Sequence, residues 1–137
     1  MDYEAFTRAL IADIRANGRP TGPQMQDRPL MVLTTTGAKT GEEHEAVVTY
    51  TRDGDDYVIA ASKSGAPTNP AWYYNVKAHP EVTVEANREK FQARATVVTG
   101  PERDRLYDQH AAERAEFRDY PSMTSRVIPV ITLRRIS

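Results

Sequence analysis

Apolar positions at helical spacing open the chain. Phe6, Leu10, Ile11 and Ile14 fall on one stripe of residues 3–17, and Asn17-Gly18 supplies a stop, so the first element is a helix. The stripe is narrow and the opposite face has mixed charge. That suits a helix packed on a core or capping a barrel, with contact to a membrane surface as the other use open to it. Residues 19–29 hold three prolines and a glycine and read as a loop. The pattern then changes. Residues 30–36 (Leu-Met-Val-Leu-Thr-Thr-Thr) are apolar and β-branched enough for a buried strand. A turn at residues 37–41 leads to a returning strand at 45–51. Asp53-Gly54-Asp55 makes a tight turn before a third strand at 57–61.

Residues 69–78 read as a short helix with Pro70 at its first position and His79-Pro80 ending it. A hairpin follows, with strands at 81–86 and 90–99 around Asn87-Arg88. Residues 101–118 form a second long helix started by Pro101, and residues 127–136 close the chain as a strand through Ile131, Leu133 and Ile136. Strands joined by tight turns pair antiparallel, and no βαβ alternation is present. Six strands in so short a chain must curl to bury both apolar faces and protect their edges. The expected fold is therefore mainly β within the α+β class, a six-stranded antiparallel barrel with a few flanking helices. It is read as one domain over residues 1–137, with a helix and loop at 1–29 and the barrel at 30–137.

Composition removes several functions. A formal net charge of −1 lacks the basic excess that binding nucleic acid demands. With no cysteine there are no disulfides, thiolate nucleophiles or cysteine metal sites, which fits a cytoplasmic protein. His44, His79 and His110 are scattered, and no two stand at metal-ligand spacing, so no metal is expected. No run is long and apolar enough for a membrane span. Residues 1–20 carry Asp2, Glu4, Asp13 and three arginines, which is not a signal-peptide pattern.

The richest stretch is Ile59-Ala-Ala-Ser-Lys-Ser-Gly-Ala-Pro-Thr-Asn-Pro-Ala-Trp-Tyr-Tyr-Asn75. A small-residue turn with Ser62, Lys63 and Gly65 leaves amides and one cation accessible to an anion. Trp72, the only tryptophan, follows with Tyr73 and Tyr74, so a flat ring could stack near a bound phosphate. Phosphate plus flat ring describes a nucleotide-like cofactor. Gly37-Ala-Lys-Thr-Gly41 fails the Walker A test, because Ala38 precedes Lys39 and the loop joins two strands. It still offers amides and a second lysine. No Gly-x-Ser-x-Gly elbow surrounds Ser62, which argues against a hydrolase nucleophile. Tyr120 lies in the segment before the last strand, where it either packs on the barrel rim or donates a hydrogen bond to a substrate oxygen.

Four segments together resemble the deazaflavin-dependent nitroreductase family, a branch of the split β-barrel flavin- and deazaflavin-binding oxidoreductases. They are Leu33-Thr-Thr-Thr-Gly-Ala-Lys-Thr-Gly41, Ile59-Ala-Ala-Ser-Lys-Ser-Gly65, Asn69-Pro-Ala-Trp-Tyr-Tyr-Asn-Val-Lys-Ala-His-Pro-Glu-Val-Thr-Val84 and Thr124-Ser-Arg-Val-Ile-Pro-Val130. The resemblance implies a six-stranded split barrel that binds coenzyme F-420, an 8-hydroxy-5-deazaflavin with a phospholactyl and oligoglutamate tail. It implies that Lys39 and Thr40 contact the phosphate and tail. His44, Ala46, Val47, Val48 and Thr49 would line the cofactor groove. Ala60, Ala61, Ser62 and Lys63 would meet the deazaflavin, and Ala71, Trp72, Tyr73, Tyr74 and Asn75 would border its ring and side chain. Glu42 and Glu43 stand where members are often basic, which opposes an anionic tail by a few tenths to about 1 kcal/mol.

The expected activity is hydride transfer from the reduced deazaflavin to an electron-poor small molecule: a quinone, enone, lactone or nitroaromatic. Ser62 and Tyr120 are the candidate catalytic residues, stabilising charge on the acceptor oxygen. Two alternatives stand beside it, an FMN-binding oxidoreductase of the same fold and a non-catalytic deazaflavin carrier. Monomer and homodimer both remain open, as does a peripheral membrane contact through the first helix.

Overall fold

The computed structural model describes residues 3–22 and 28–137, so residues 23–27 of the proline-rich loop lie outside the described residues. Helix α1 (Tyr3–Asn17) precedes strands β1 (Leu30–Thr36), β2 (Glu43–Thr49), β3 (Thr51–Asp53) and β4 (Asp56–Ala60). A 3-10 turn (Lys63–Gly65) leads to α2 (Ala71–Ala78), and β5 (Glu81–Ala86) and β6 (Glu89–Val98) form a hairpin. Then come α3 (Gly100–Glu113), α4 (Glu116–Asp119), a second 3-10 turn (Tyr120–Met123) and β7 (Val130–Arg135).

The strands form one antiparallel sheet in the order β2-β1-β5-β6-β7-β4-β3. Its two edges, β2 and β3, are consecutive pieces of chain. The single strand expected at 45–51 is therefore divided at Tyr50, where the chain leaves one end of the sheet and joins the other. This accounts for seven strands rather than six. Tyr50 is held as a corner: its amide donates to the Pro29 carbonyl at 2.9 Å, and Asn87 Nδ2 donates to its hydroxyl at 3.0 Å. Because β2 pairs only with β1, its outer edge stays open. The barrel is curled and split along that edge.

Period-2 alternation sorts the side chains onto two faces. Met31, Leu33, Tyr57, Ile59, Ile131 and Leu133 point inward with Phe91 and Ala93 to fill the barrel. The intervening residues are apolar too, because helices cover the outer face. Leu30 and Val32 pack under Ile11 and Ile14 of α1. Val58 and Val130 pack under Leu106, Tyr107 and Ala111 of α3 and Phe117 of α4. A run such as Leu-Met-Val-Leu reads as continuously apolar for this reason. The inner part of the α1 stripe, Ile11 and Ile14, is thus packed on the sheet, while Phe6 stays exposed. Among the described residues no helix is long and apolar enough to cross a membrane.

Two helix boundaries differ from expectation. Pro70 is the N-cap of α2 rather than its first residue. The long helix at 101–118 breaks after Glu113, because the Arg114 amide closes α3 on the His110 carbonyl and Phe117 then starts a new turn on the Arg114 carbonyl. The last strand begins at Val130, after Pro129, which has no amide to give to a ladder.

Gly18 joins the helix to the barrel. With φ +81 its amide donates to the Ile14 carbonyl at 2.7 Å, and its carbonyl accepts from Asn87 at 3.0 Å. A Cβ there would lie 2.7 Å from Arg88 Cγ and 3.0 Å from the Arg88 backbone nitrogen. Gly18→Ala should therefore cost about 1–3 kcal/mol of stability from strain and overlap together. Urea denaturation measures it, and an unchanged midpoint would show that the hairpin yields freely.

Candidate functional site

The open edge of β2 borders a groove in two lobes. The inner lobe, about 770 Å³, lies among Thr35, the loop from Gly37 to Thr40, His44, Ala46 and the α2 residues Ala71, Trp72, Tyr74 and Asn75. The outer lobe, about 710 Å³, runs along Glu45, Ala46, Val47, Val48 and Thr49, past Ala60, Ser62 and Lys63, to Phe117 and Tyr120. Phe6, Thr7 and Leu10 of α1 close it on the other side. Glu45, Ala46, Ala71 and Trp72 line both. Each lobe is of a size that holds a small molecule.

The inner loop is built by a helix side chain. Trp72, Asn75 and Val76 form the buried stripe of α2, and Asn75 is its one polar member. Ala38 donates its amide to Asn75 Oδ1 at 3.0 Å, and Asn75 Nδ2 donates to Thr35 Oγ1 at 3.0 Å. Gly37 donates to the Glu42 carbonyl and Gly41 to the Gly37 carbonyl. The amides of Lys39 and Thr40 have no partner among the described residues. Gly37 is needed for close approach: a Cβ would lie 2.7 Å from Thr40 Oγ1 and 2.9 Å from His44 Nε2.

The outer turn is strained. Ser62 is right-handed helical and Lys63 is left-handed at φ +47. That alternation gathers successive amides on one side. The amides of Ser62 and Lys63 have no partner among the described residues, while Ser62 and Lys63 carbonyls accept from Gly65 and Ala66. Lys63 Nζ reaches Thr68 Oγ1 at 3.3 Å. Tyr120 is half-buried and edge-on to Phe117 with ring centroids 5.1 Å apart, and its hydroxyl has no partner among the described residues.

Charge in the groove is uneven. Glu45 is paired with Arg15, which also bridges to Glu85 at 2.9 Å and, through hydrogen bonding, holds the Glu85 carboxyl below the usual carboxylate range. Glu116 faces Arg28 at 3.8 Å and Arg114 at 3.5 Å. Lys39 and Lys63, one in each lobe, have no carboxylate partner among the described residues. The groove thus neutralises its own acids and keeps two lysines for an anion.

Of the residues nominated from sequence, Lys39, Thr40, His44, Tyr74 and Asn75 meet in the inner lobe. Val47, Val48, Thr49, Ala60, Ser62, Lys63 and Tyr120 meet in the outer lobe, and Ala46, Ala71 and Trp72 in both. Ala61 and Tyr73 line neither. Ala61 is fully buried in the barrel core with its amide on the Pro129 carbonyl. Tyr73 packs edge-on against Tyr74 under Lys77. Sequence reasoning missed Phe6 and Leu10, whose helical stripe faces the groove as well as the sheet. It also gave no role to Arg126, which lies in the matched segment 124–130 but whose partners are 57 to 65 residues away.

Similarity to known proteins extends over most of the chain. The family described as F420H(2)-dependent quinone reductase matches residues 6–135. An F420H(2)-dependent quinone reductase of Mycobacterium tuberculosis strain H37Rv is 42% identical over 112 residues, which is 78% of this chain and 74% of the relative. A solved F420-H2 dependent reductase (FDR-A) superposes with a TM-score of 0.72 at 32% identity, over 78% of this chain and 95% of that one. A protein solved as a domain-swapped dimer superposes with a TM-score of 0.74 at 30% identity, over 97% of this chain and all of that one.

Proposed function

We propose, for a chain that belongs to the F420H(2)-dependent quinone reductase family, how the two lobes divide the work between coenzyme and acceptor. The protein is an oxidoreductase that depends on coenzyme F-420 and reduces quinones. The observation that carries the division is that Lys39 and Lys63, neither with a carboxylate partner among the described residues, stand one in each lobe with Trp72 lining both, so an anionic coenzyme would span the lobes and leave the apolar part of the outer one to the acceptor.

The donor set fits the coenzyme. Free amides at Lys39 and Thr40, with the Lys39 ammonium, suit a phosphate and carboxylate tail. Small Ala46 and Ala71 beside Trp72 leave room for a planar ring, and the Ser62 and Lys63 amides suit its polar edge. When bound, the reduced deazaflavin supplies a two-electron hydride donor, because carbon replaces the flavin N5. The chain's own part is to orient, exclude water and bind charge. Val47, Leu10, Leu30 and Phe117 give the outer lobe apolar walls suited to a quinone ring. Tyr120 and Ser62 donate hydrogen bonds to the quinone oxygen as it gains negative charge.

Tyr120→Phe tests the division. Turnover should fall roughly ten- to a hundred-fold while coenzyme affinity stays within about twofold, because one donor to the developing oxyanion is lost. Equal loss in both would put Tyr120 among the coenzyme contacts instead. The domain-swapped dimer of the 30%-identical relative supports a homodimer for this chain, which sedimentation checks.

A further inference from the structure

We infer that Arg126 is a positioning residue for the coenzyme-binding turn, fixing the Ser62 and Lys63 peptides and placing a positive charge behind them. The inference rests on the reading that these two residues meet the coenzyme. Arg126 is half-buried, and its guanidinium is spent on acceptors of one loop. Nη2 donates to the Ser62 carbonyl at 2.8 Å, and Nη1 donates to the Ala61 carbonyl at 3.1 Å and to Asn69 Oδ1 at 2.7 Å. Nε donates to the Ala66 carbonyl at 3.0 Å.

Direction follows from peptide planarity. No peptide in the described chain is cis, and a trans peptide carries its N–H opposite its C=O. With the Ala61 and Ser62 carbonyls turned onto the guanidinium, the amides of Ser62 and Lys63 point away from it. Both of those amides lack a partner among the described residues, and both residues line the outer lobe. Lys63 would leave φ +47 readily without support, since a side chain disfavours that region. Arg126 supplies support from a segment 60 or so positions away in the chain.

Charge adds to direction. All four acceptors are neutral, and Arg126 has no carboxylate partner among the described residues. Its charge therefore reaches the groove unneutralised and polarises the two peptides toward an anionic ligand. The same segment carries Tyr120: its 3-10 turn ends at Met123, whose side chain sits where a Gly65 Cβ would be, at 2.8 Å. Met123 thus packs the Tyr120 turn against the turn that Arg126 holds.

The test compares Arg126→Lys, Arg126→Gln and Arg126→Ala in the full chain. It uses coenzyme Kd from Trp72 emission and KM for a water-soluble benzoquinone, with thermal midpoints recorded alongside. Arg126→Gln should raise the coenzyme Kd roughly tenfold or more, and the quinone KM by less than about threefold, because charge-assisted bonds are lost on the coenzyme side. Arg126→Lys should lose less than Arg126→Gln, since it keeps the charge. Guanidinium at tens of millimolar should restore part of the affinity of Arg126→Ala, where sodium chloride at equal concentration does not. Wild-type Kd in all three variants overturns the inference. Equal losses in all three with no guanidinium rescue also overturn it, leaving Arg126 a brace of the fold. Failure of the wild type itself to bind coenzyme overturns the parent reading, and this inference with it.

Discussion

Asn75→Leu is expected to weaken coenzyme binding tenfold or more and to cost about 1–3 kcal/mol of stability, chiefly from the buried Thr35 hydroxyl left unpaired. Asn75 ties α2 to the start of the loop from Gly37 to Gly41 and to β1: it accepts from the Ala38 amide and donates to Thr35 Oγ1. Leucine fills much the same space but leaves the buried Thr35 hydroxyl and the half-buried Ala38 amide without their partner. The loop would then lose the constraint that leaves the Lys39 and Thr40 amides free and close together. Asn75→Asp keeps an acceptor for Ala38 and lets the Thr35 hydroxyl reverse its role, so it should lose distinctly less. Urea unfolding gives the first quantity and coenzyme titration the second. Wild-type affinity in Asn75→Leu would mean that the loop holds its shape unaided.

The second large effect is one of pH. His110 is completely buried, hydrogen-bonded through Nδ1 to Thr51 Oγ1 at 2.7 Å, and its Nε2 has no partner. Burial pulls its pKa down from 6.5 to about 4, with Glu116 opposing and Arg114 assisting to smaller degrees. The unfolded chain therefore binds a proton between pH 6.5 and 4 that the folded chain refuses. Stability is full above pH 6.5 and falls by about 3 kcal/mol on acidification to pH 4. Glu85, held low by Arg15, adds its own loss only below about pH 4.5. The window from pH 6.5 to 4.5 therefore lies above the loss from Glu85. His110→Gln should flatten the pH dependence of urea stability. A flat profile in the wild type between pH 6.5 and 4.5 would refute the assignment.

Much of this architecture was legible because its causes are local. Proline and glycine punctuation and a continuous Leu-Met-Val-Leu run place the strands, and the helical stripe of Phe6, Leu10, Ile11 and Ile14 places α1. What was illegible has distant causes. Nothing in residues 45–51 announces a corner at Tyr50, because the corner depends on Pro29 and on Asn87, 37 positions away. The break between α3 and α4 contains neither glycine nor proline, and it follows from packing Phe117 and His110 beneath the sheet. The candidate site divides the same way. Its lysines, small residues and tryptophan stand out in sequence because their chemistry is in the residue type. Asn75 as a brace could have been suspected from one amide in an otherwise apolar stripe. Arg126 could not, since only the fold brings it to the 61–69 loop.

The groove therefore has a mechanical logic that the sequence alone shows in part. Two loops present unpaired amides, and each loop is held from behind by one polar side chain, Asn75 for residues 37–41 and Arg126 for residues 61–69. Binding energy is not spent on ordering these loops if the braces have ordered them already.

The most direct test titrates the purified protein with reduced and oxidised coenzyme F-420 and, separately, with FMN, following emission from Trp72, which is shared by both lobes. Saturable quenching by the deazaflavin in the micromolar range, with none by FMN, is the expected result, and reoxidation of the reduced form by a quinone should follow. Quenching by FMN alone would move the protein to the flavin-binding side of this fold. No quenching by either would contradict the groove as the coenzyme site.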